Sequence, residues 1–141
     1  MRNEVAFIYD ERLTGHELSA THPLKPVRLT QTYELLQSYR CFDSSNSNLL
    51  EPRPVTTDEL MTYHTEEYID AVKFFSDGSN VVDPQTFNLG TADNPIYPQM
   101  YEAAMLSTGA SALAADLIIA GKVDRVFSIS GGLHHAMPGY A

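Results

Sequence analysis

The sequence is poor in three things. Cysteine occurs once, as Cys41, so no disulfide can close within the chain and nothing points to an oxidising compartment. Basic residues are scarce: nine Lys and Arg stand against 18 Asp and Glu, a net charge of −9. That balance argues against broad nucleic-acid binding, which needs clustered cations to displace counterions from phosphates. Long apolar runs are missing too, and no stretch reads as approaching the roughly 20 residues that span a bilayer. Met1-Arg2-Asn3-Glu4 lacks the cleavage pattern of a secretory signal. Internal repeats and low-complexity tracts are also absent. The expectation is a cytoplasmic protein with neither a nucleic-acid nor a membrane partner.

The composition that remains is that of one domain with a core: 141 residues, 43% hydrophobic and 10% aromatic. Val5 to Tyr9 is a short apolar run that predicts a buried strand, and the Gly-, His- and Pro-rich stretch from Asp10 to Pro26 predicts a long loop. Val27, Leu29, Tyr33, Leu35, Leu36 and Tyr39 recur at helical spacing, with Pro26 near the first turn. Leu49 to Val55 is expected to be extended, broken by Pro52 and Pro54. Thr56 and Glu59 have capping-box spacing for a short helix, and Thr65 is placed to cap a second one ended by Gly78. Asn80 to Thr91 is expected to be loop, with a brief extended piece at Val81-Val82.

Asn94-Pro95 has the N-cap and first-turn chemistry to open the longest helix, which Gly121 would end. Its Ala-rich, weakly charged sequence predicts burial on more than one side, and Gly109 within it leaves room for another backbone. Val123 to Ile129 predicts a second buried strand. Two strands and about four helices define an α/β chain whose sheet is incomplete, since a parallel sheet covered on both faces needs more strands.

After that second strand come Ser130-Gly131-Gly132-Leu133-His134-His135-Ala136-Met137-Pro138. Ligands of open α/β sheets collect beyond the carboxyl ends of strands, so two titratable rings in this loop are candidate site residues. Neighbouring side chains diverge, so the pair suits two separate roles around one substrate better than joint chelation of a metal. Against this stands the bland reading of two surface histidines satisfied by water. Gly131 and Gly132 add backbone freedom and space. Cys41 reads as a small apolar filler, and the Tyr and Met positions of the long helix as core. His64 reads as a structural, hydrogen-bonded ring, and His16 and His22 lack the companions of a metal site.

The Ser-Gly-Gly-Leu-His-His-Ala-Met-Pro segment resembles the double-histidine motif of the zinc-dependent histone deacetylase superfamily, and within it the bacterial acetoin-utilisation branch. Three further blocks carry the same resemblance: His22-Pro23-Leu24-Lys25-Pro26-Val27-Arg28, Tyr63-His64-Thr65-Glu66-Glu67-Tyr68-Ile69, and Leu89-Gly90-Thr91-Ala92-Asp93-Asn94-Pro95. The resemblance implies the N-terminal portion of an arginase–deacetylase-type parallel sheet with flanking helices, residues 1–141 forming part of a single domain.

It implies that His134 and His135 are the catalytic pair, one acting as general base on a zinc-bound water, the other mainly electrostatic. It implies that Asp93 accepts hydrogen bonds from the substrate at the pocket rim; its bland reading is a residue at a helix N-terminus, stabilised by the macrodipole. Arg28, Gly131 and Gly132 would line an internal channel for acetate. The substrate class is acetyl-lysine or a small acetylated amine.

The family's zinc ligands, two aspartates and a histidine, would all fall after Ala141. Zinc is therefore expected in the complete protein, whereas the chain alone is expected to hold none and to be inactive. A different reading is a non-catalytic, truncated module that self-associates or pairs with a partner through an exposed half-core and sheet edge. A third, the manganese-dependent ureohydrolase relatives of the fold, finds no match for its metal-binding residues.

Overall fold

The structure, a computed structural model, describes residues 3–132 and 136–141. A three-stranded parallel sheet forms its centre, in the order β2-β1-β3. β1 (Val5–Ile8) lies in the middle, flanked by β2 (Ser47–Leu50) and β3 (Arg125–Ser128). Phe7 stands level with Leu49 on one side and Phe127 on the other. The central position explains the uninterrupted apolar run: Ala6, Phe7, Ile8 and Tyr9 are all buried, and Ile8 has no exposed surface. The expected extended stretch after the polar turn is thus a third strand, shifted to begin at Ser47. Its Ser-Asn-Leu-Leu sequence carries neither alternation nor a long apolar run, because an edge strand need not bury both faces.

The helices are α1 (Val27–Ser38), the single turn α2 (Thr57–Leu60), α3 (Glu66–Ser76) and α4 (Met100–Ile119). Two 3-10 turns, Glu11–Thr14 and Pro84–Phe87, sit inside the stretches expected to be loop. Both predicted caps form. Thr56 Oγ1 accepts from the Glu59 N–H while Glu59 accepts from the Thr56 N–H at 2.7 Å, and Thr65 Oγ1 accepts from the Tyr68 N–H. Gly78 and Gly121 follow α3 and α4 with φ of 78° and 63°.

Against expectation, α4 opens at Met100 rather than at Asn94-Pro95. Pro98 would cost a helix from Pro95 an N–H and drive its ring against the Asn94 carbonyl, and it disfavours helical geometry at Tyr97. Asn94 is instead buried in a turn, its N–H on Thr91 Oγ1, its Nδ2 on the Asn88 carbonyl and its carbonyl accepting from Gly90. Asp93 therefore lies inside that turn, between Thr91 and Asn94, and not in the first turn of a helix, so the macrodipole reading of it falls.

The α4 sequence also misled on burial. Among its residues Met100, Leu106, Gly109 and Ala110 are buried, while Ile118 and Ile119 are 45% and 84% exposed. It packs on β3, α3 and the 3-10 turn Glu11–Thr14 and is crossed by residues 53–55, while its carboxyl-terminal apolar residues are uncovered in the described residues. With 20 residues and a mean hydropathy of 1.3 over its most apolar window, α4 is long and apolar enough to cross a membrane, contrary to expectation. Cys41 is exposed and so is not a buried filler.

A second core region unites Tyr68, Ala71, Phe75, Leu89, Met100 and Ala141. Residues 136–141 are tied down there: the Pro138 carbonyl accepts from Thr65, Asn88 Nδ2 donates to the Ala141 oxygen, and the Ala141 N–H donates to the Phe87 carbonyl.

Candidate active site

A cavity of about 560 Å³ opens at the carboxyl end of β3. Its floor is Ser128 to Gly132, which leaves the strand and is held to α4 by a 2.8 Å hydrogen bond from Ser130 Oγ to Ser107 Oγ. Ser128 Oγ donates to the Ser130 carbonyl and tightens the same turn. α1 and the loop before it form one wall, α3 and α4 another.

Of the residues expected to form the site, Arg28, Gly131 and Gly132 all line this cavity. Neither glycine takes a positive φ, and a Cβ on either would meet open space. Space along the wall, rather than backbone freedom, is what these two glycines provide. Arg28 sits in the first turn of α1, exposed and without an ion pair among the described residues. Asp93 is exposed and does not line the cavity, although Asn94 and Pro95 beside it do. His134 and His135 lie outside the described residues.

The lining is mostly apolar, and its polar members share one property: among the described residues none is an Asp or Glu side chain. In a chain with 18 such residues this favours anionic or neutral polar ligands. Lys25, also on the wall, is held by Glu17 Oε1 and by the Ser19 and Ala20 carbonyls, and so pins the long loop. His64 lines the wall with its Nδ1 3.1 Å from the Met137 carbonyl, the structural role read for it. Buried His22 accepts from the Leu24 N–H through Nδ1 and shapes the same loop.

Two lining residues, Tyr97 and His16, had no signal of function in the sequence, and Tyr68 had one only through its motif block. Tyr97, before α4, is pushed up to about 12 by burial, and burial raises Tyr68 as well. His16 lies flat on Tyr97, the ring centres 5.5 Å apart and the planes 7° from parallel, and burial lowers its pKa. Loop composition gave no hint that His16 would meet a ring so distant along the chain.

No group of three or more His, Cys, Asp or Glu among the described residues could hold a metal ion. The described residues therefore offer no site for the zinc that the resemblance implies.

A parallel α/β sheet with a cavity at the carboxyl end of a strand defines a protein of the α/β class, with the cavity where ligands of such sheets collect. Comparison with known proteins narrows this: the histone deacetylase domain matches residues 22–141, and the chain belongs to that family. It is 34% identical to the acetoin utilization protein AcuC of Bacillus subtilis (strain 168) over all of this chain and 36% of that protein. It is 33% identical to AcuC of Staphylococcus aureus (strain MSSA476), over 99% of this chain and 36% of the relative. Histone deacetylase RPD3 of Saccharomyces cerevisiae is 30% identical over 96% of this chain and 31% of its own length. The chain thus spans about a third of these relatives.

Proposed function

We propose that this chain forms the acyl-pocket side of a deacetylase, a hydrolase that removes acetyl groups from acetyl-lysine or small acetylated amines. The observation that carries this reading is the cavity beyond β3, with Arg28, Gly131 and Gly132 on its wall and no acidic side chain among its described lining. Hydrolysis of an acetyl amide turns a neutral group into acetate and an amine. A wall bearing Arg28 attracts the anion formed, while the apolar remainder of the lining accommodates the methyl group.

In this reading His134 and His135 hold and move the protons, and Asp93 accepts a hydrogen bond from the substrate's N–H. Zinc in the complete protein would be bound by residues outside this chain. The 141-residue chain by itself is then expected to retain no stoichiometric zinc and to hydrolyse no acetyl amide.

The test is made on the product of the intact gene, with zinc measured by elemental analysis and turnover followed on an acetyl-lysine peptide and an acetylated small amine. Stoichiometric zinc with turnover is the expected result. His134→Ala and His135→Ala should each lower kcat, and removal of the general acid–base residue costs about 10²–10⁴-fold. Full activity in both variants would overturn the assignment.

A second reading, self-association of this chain, is favoured by a separate observation: Phe127 on β3 is 59% exposed and Ile119 on α4 is 84% exposed. The outer edge of β3 has no partner strand among the described residues.

A further inference from the structure

The cavity is much larger than an acetyl group, with its methyl and carbonyl, needs. Something other than total volume must set which acyl group is accepted. The loop from Asp10 to Pro26 reaches the cavity at Leu13, His16 and Leu18. The imidazole it brings to the wall, that of His16, is laid against Tyr97 from the segment before α4, and both rings line the cavity that Gly131 and Gly132 border.

The loop is anchored by buried Leu13 and Leu18 and by its 3-10 turn, which packs on α1 and α4, while Lys25 Nζ folds it on itself through Glu17 and the Ser19 and Ala20 carbonyls. His16 itself makes no side-chain hydrogen bond to a described residue, so the loop is held by other groups and the ring is left as wall. Burial disfavours its charged form.

We propose that His16, stacked on Tyr97, is a specificity-determining residue that limits the length of the acyl group the cavity takes; the inference rests on the deacetylase reading given above. The ring pair is a flat, rigid stop that two packed aromatic groups provide and a flexible aliphatic side chain would not. Removing it opens the cavity along the loop and leaves Arg28, Gly131 and Gly132 untouched.

The experiment uses the full-length protein and compares kcat/KM for acetyl-, butyryl- and hexanoyl-lysine peptides in wild type, His16→Ala and His16→Phe. A methylene in an apolar pocket is worth about 10–200-fold, so His16→Ala should raise the butyryl-to-acetyl ratio by at least about ten-fold. His16→Phe, which restores a stacking ring, should keep the wild-type ratio. A ratio is read because a merely structural loss lowers all three substrates together. An unchanged ratio in a folded His16→Ala protein overturns the proposal, as does a His16→Phe shift equal to that of Ala. Tyr97→Leu removes the other half of the stack and serves if His16→Ala does not fold.

If wild type turns over no acylated peptide, the deacetylase reading fails. The wall is then tested by melting shifts with acetate, butyrate and hexanoate. His16→Ala should respond more to the longer carboxylates than wild type does, and identical responses overturn the proposal.

Discussion

A Cβ at position 109 would land on the backbone of Arg53, meeting the carbonyl oxygen and lying 2.8 Å from its carbon. One turn earlier the Met105 carbonyl accepts from the Val55 N–H at 3.1 Å, so residues 53–55 cross α4 in direct backbone contact. The need for a close approach was legible in the sequence, since a glycine inside an Ala-rich helix otherwise costs about 1 kcal/mol. Its partner was not, because nothing in the Pro-broken stretch marks it as packing there. Gly109→Ala gains that propensity but forces two backbones apart, and overpacking costs about 1–3 kcal/mol. A net fall in the urea midpoint is expected, measured by circular dichroism.

Glu59 offers a second prediction at this scale. Its carboxylate accepts from the Arg53 guanidinium and the Thr56 N–H, which together hold its pKa at about 2 against an ordinary 4.5. The folded state thus binds this proton more weakly than the unfolded chain does. The stabilisation is fully present above pH 4.5 and is lost as the pH falls towards 2. The full-length protein should lose melting temperature more steeply across that window than its Glu59→Gln variant. Parallel slopes for the two would remove Glu59 from the acid response.

At the scale of elements, local chemistry was readable where the cap and its helix are contiguous. Thr56 with Glu59, Thr65, Gly78 and Gly121 all act as their positions predicted. The start of α4 was not readable from Asn94-Pro95, because Pro98 and the tertiary demands on Asn94 outweigh a good local cap. Gln99, at the true start, takes φ 62° and supplies no side-chain cap, an unfavourable beginning that sequence preference would never choose. β2 was hidden for the opposite reason, since an edge strand needs little apolar pattern.

These caps can be tested. Thr65 Oγ1 accepts from the Tyr68 N–H at the start of α3, whose Tyr68 and Ile69 pack into the core beside the cavity. Thr65→Ala should cost about 1 kcal/mol by denaturant titration, the usual worth of an N-cap hydroxyl, and Thr65→Ser should restore most of it. An Ala variant as stable as wild type would mean that the Thr65 N–H bond to the Pro138 carbonyl fixes this helix end by itself.

The whole molecule is a sheet with its best-buried strand in the middle and its apolar helix only partly covered. The order of apolar runs and helical periods foretold an α/β chain with an incomplete sheet, its parallel class came with the motif blocks, and so did the residues Arg28, Gly131 and Gly132 that line one cavity. The His16–Tyr97 wall was not, because stacking between distant loops leaves no trace in spacing. The same limit applies to the surface. The Ala-rich sequence of α4 predicts cover on several sides; the described residues cover its first three turns and leave Ile118 and Ile119 at its end exposed. Phe127 contributes to the same imbalance from the outward edge of β3.

Exposed apolar groups next to an unpaired parallel edge favour association, since a neighbouring chain can satisfy both the backbone groups and the side chains. The 141-residue chain is therefore expected to show a mass that rises with concentration in sedimentation velocity. Replacing Ile119, 84% exposed, with Asp should shift the distribution towards monomer without lowering the melting temperature, whereas Phe127→Lys should shift it too but lower the melting temperature, because the Phe127 ring stacks on buried Phe7. A wild-type chain that stays monomeric across a wide concentration range would remove the self-association reading and leave the deacetylase reading to stand on its own tests.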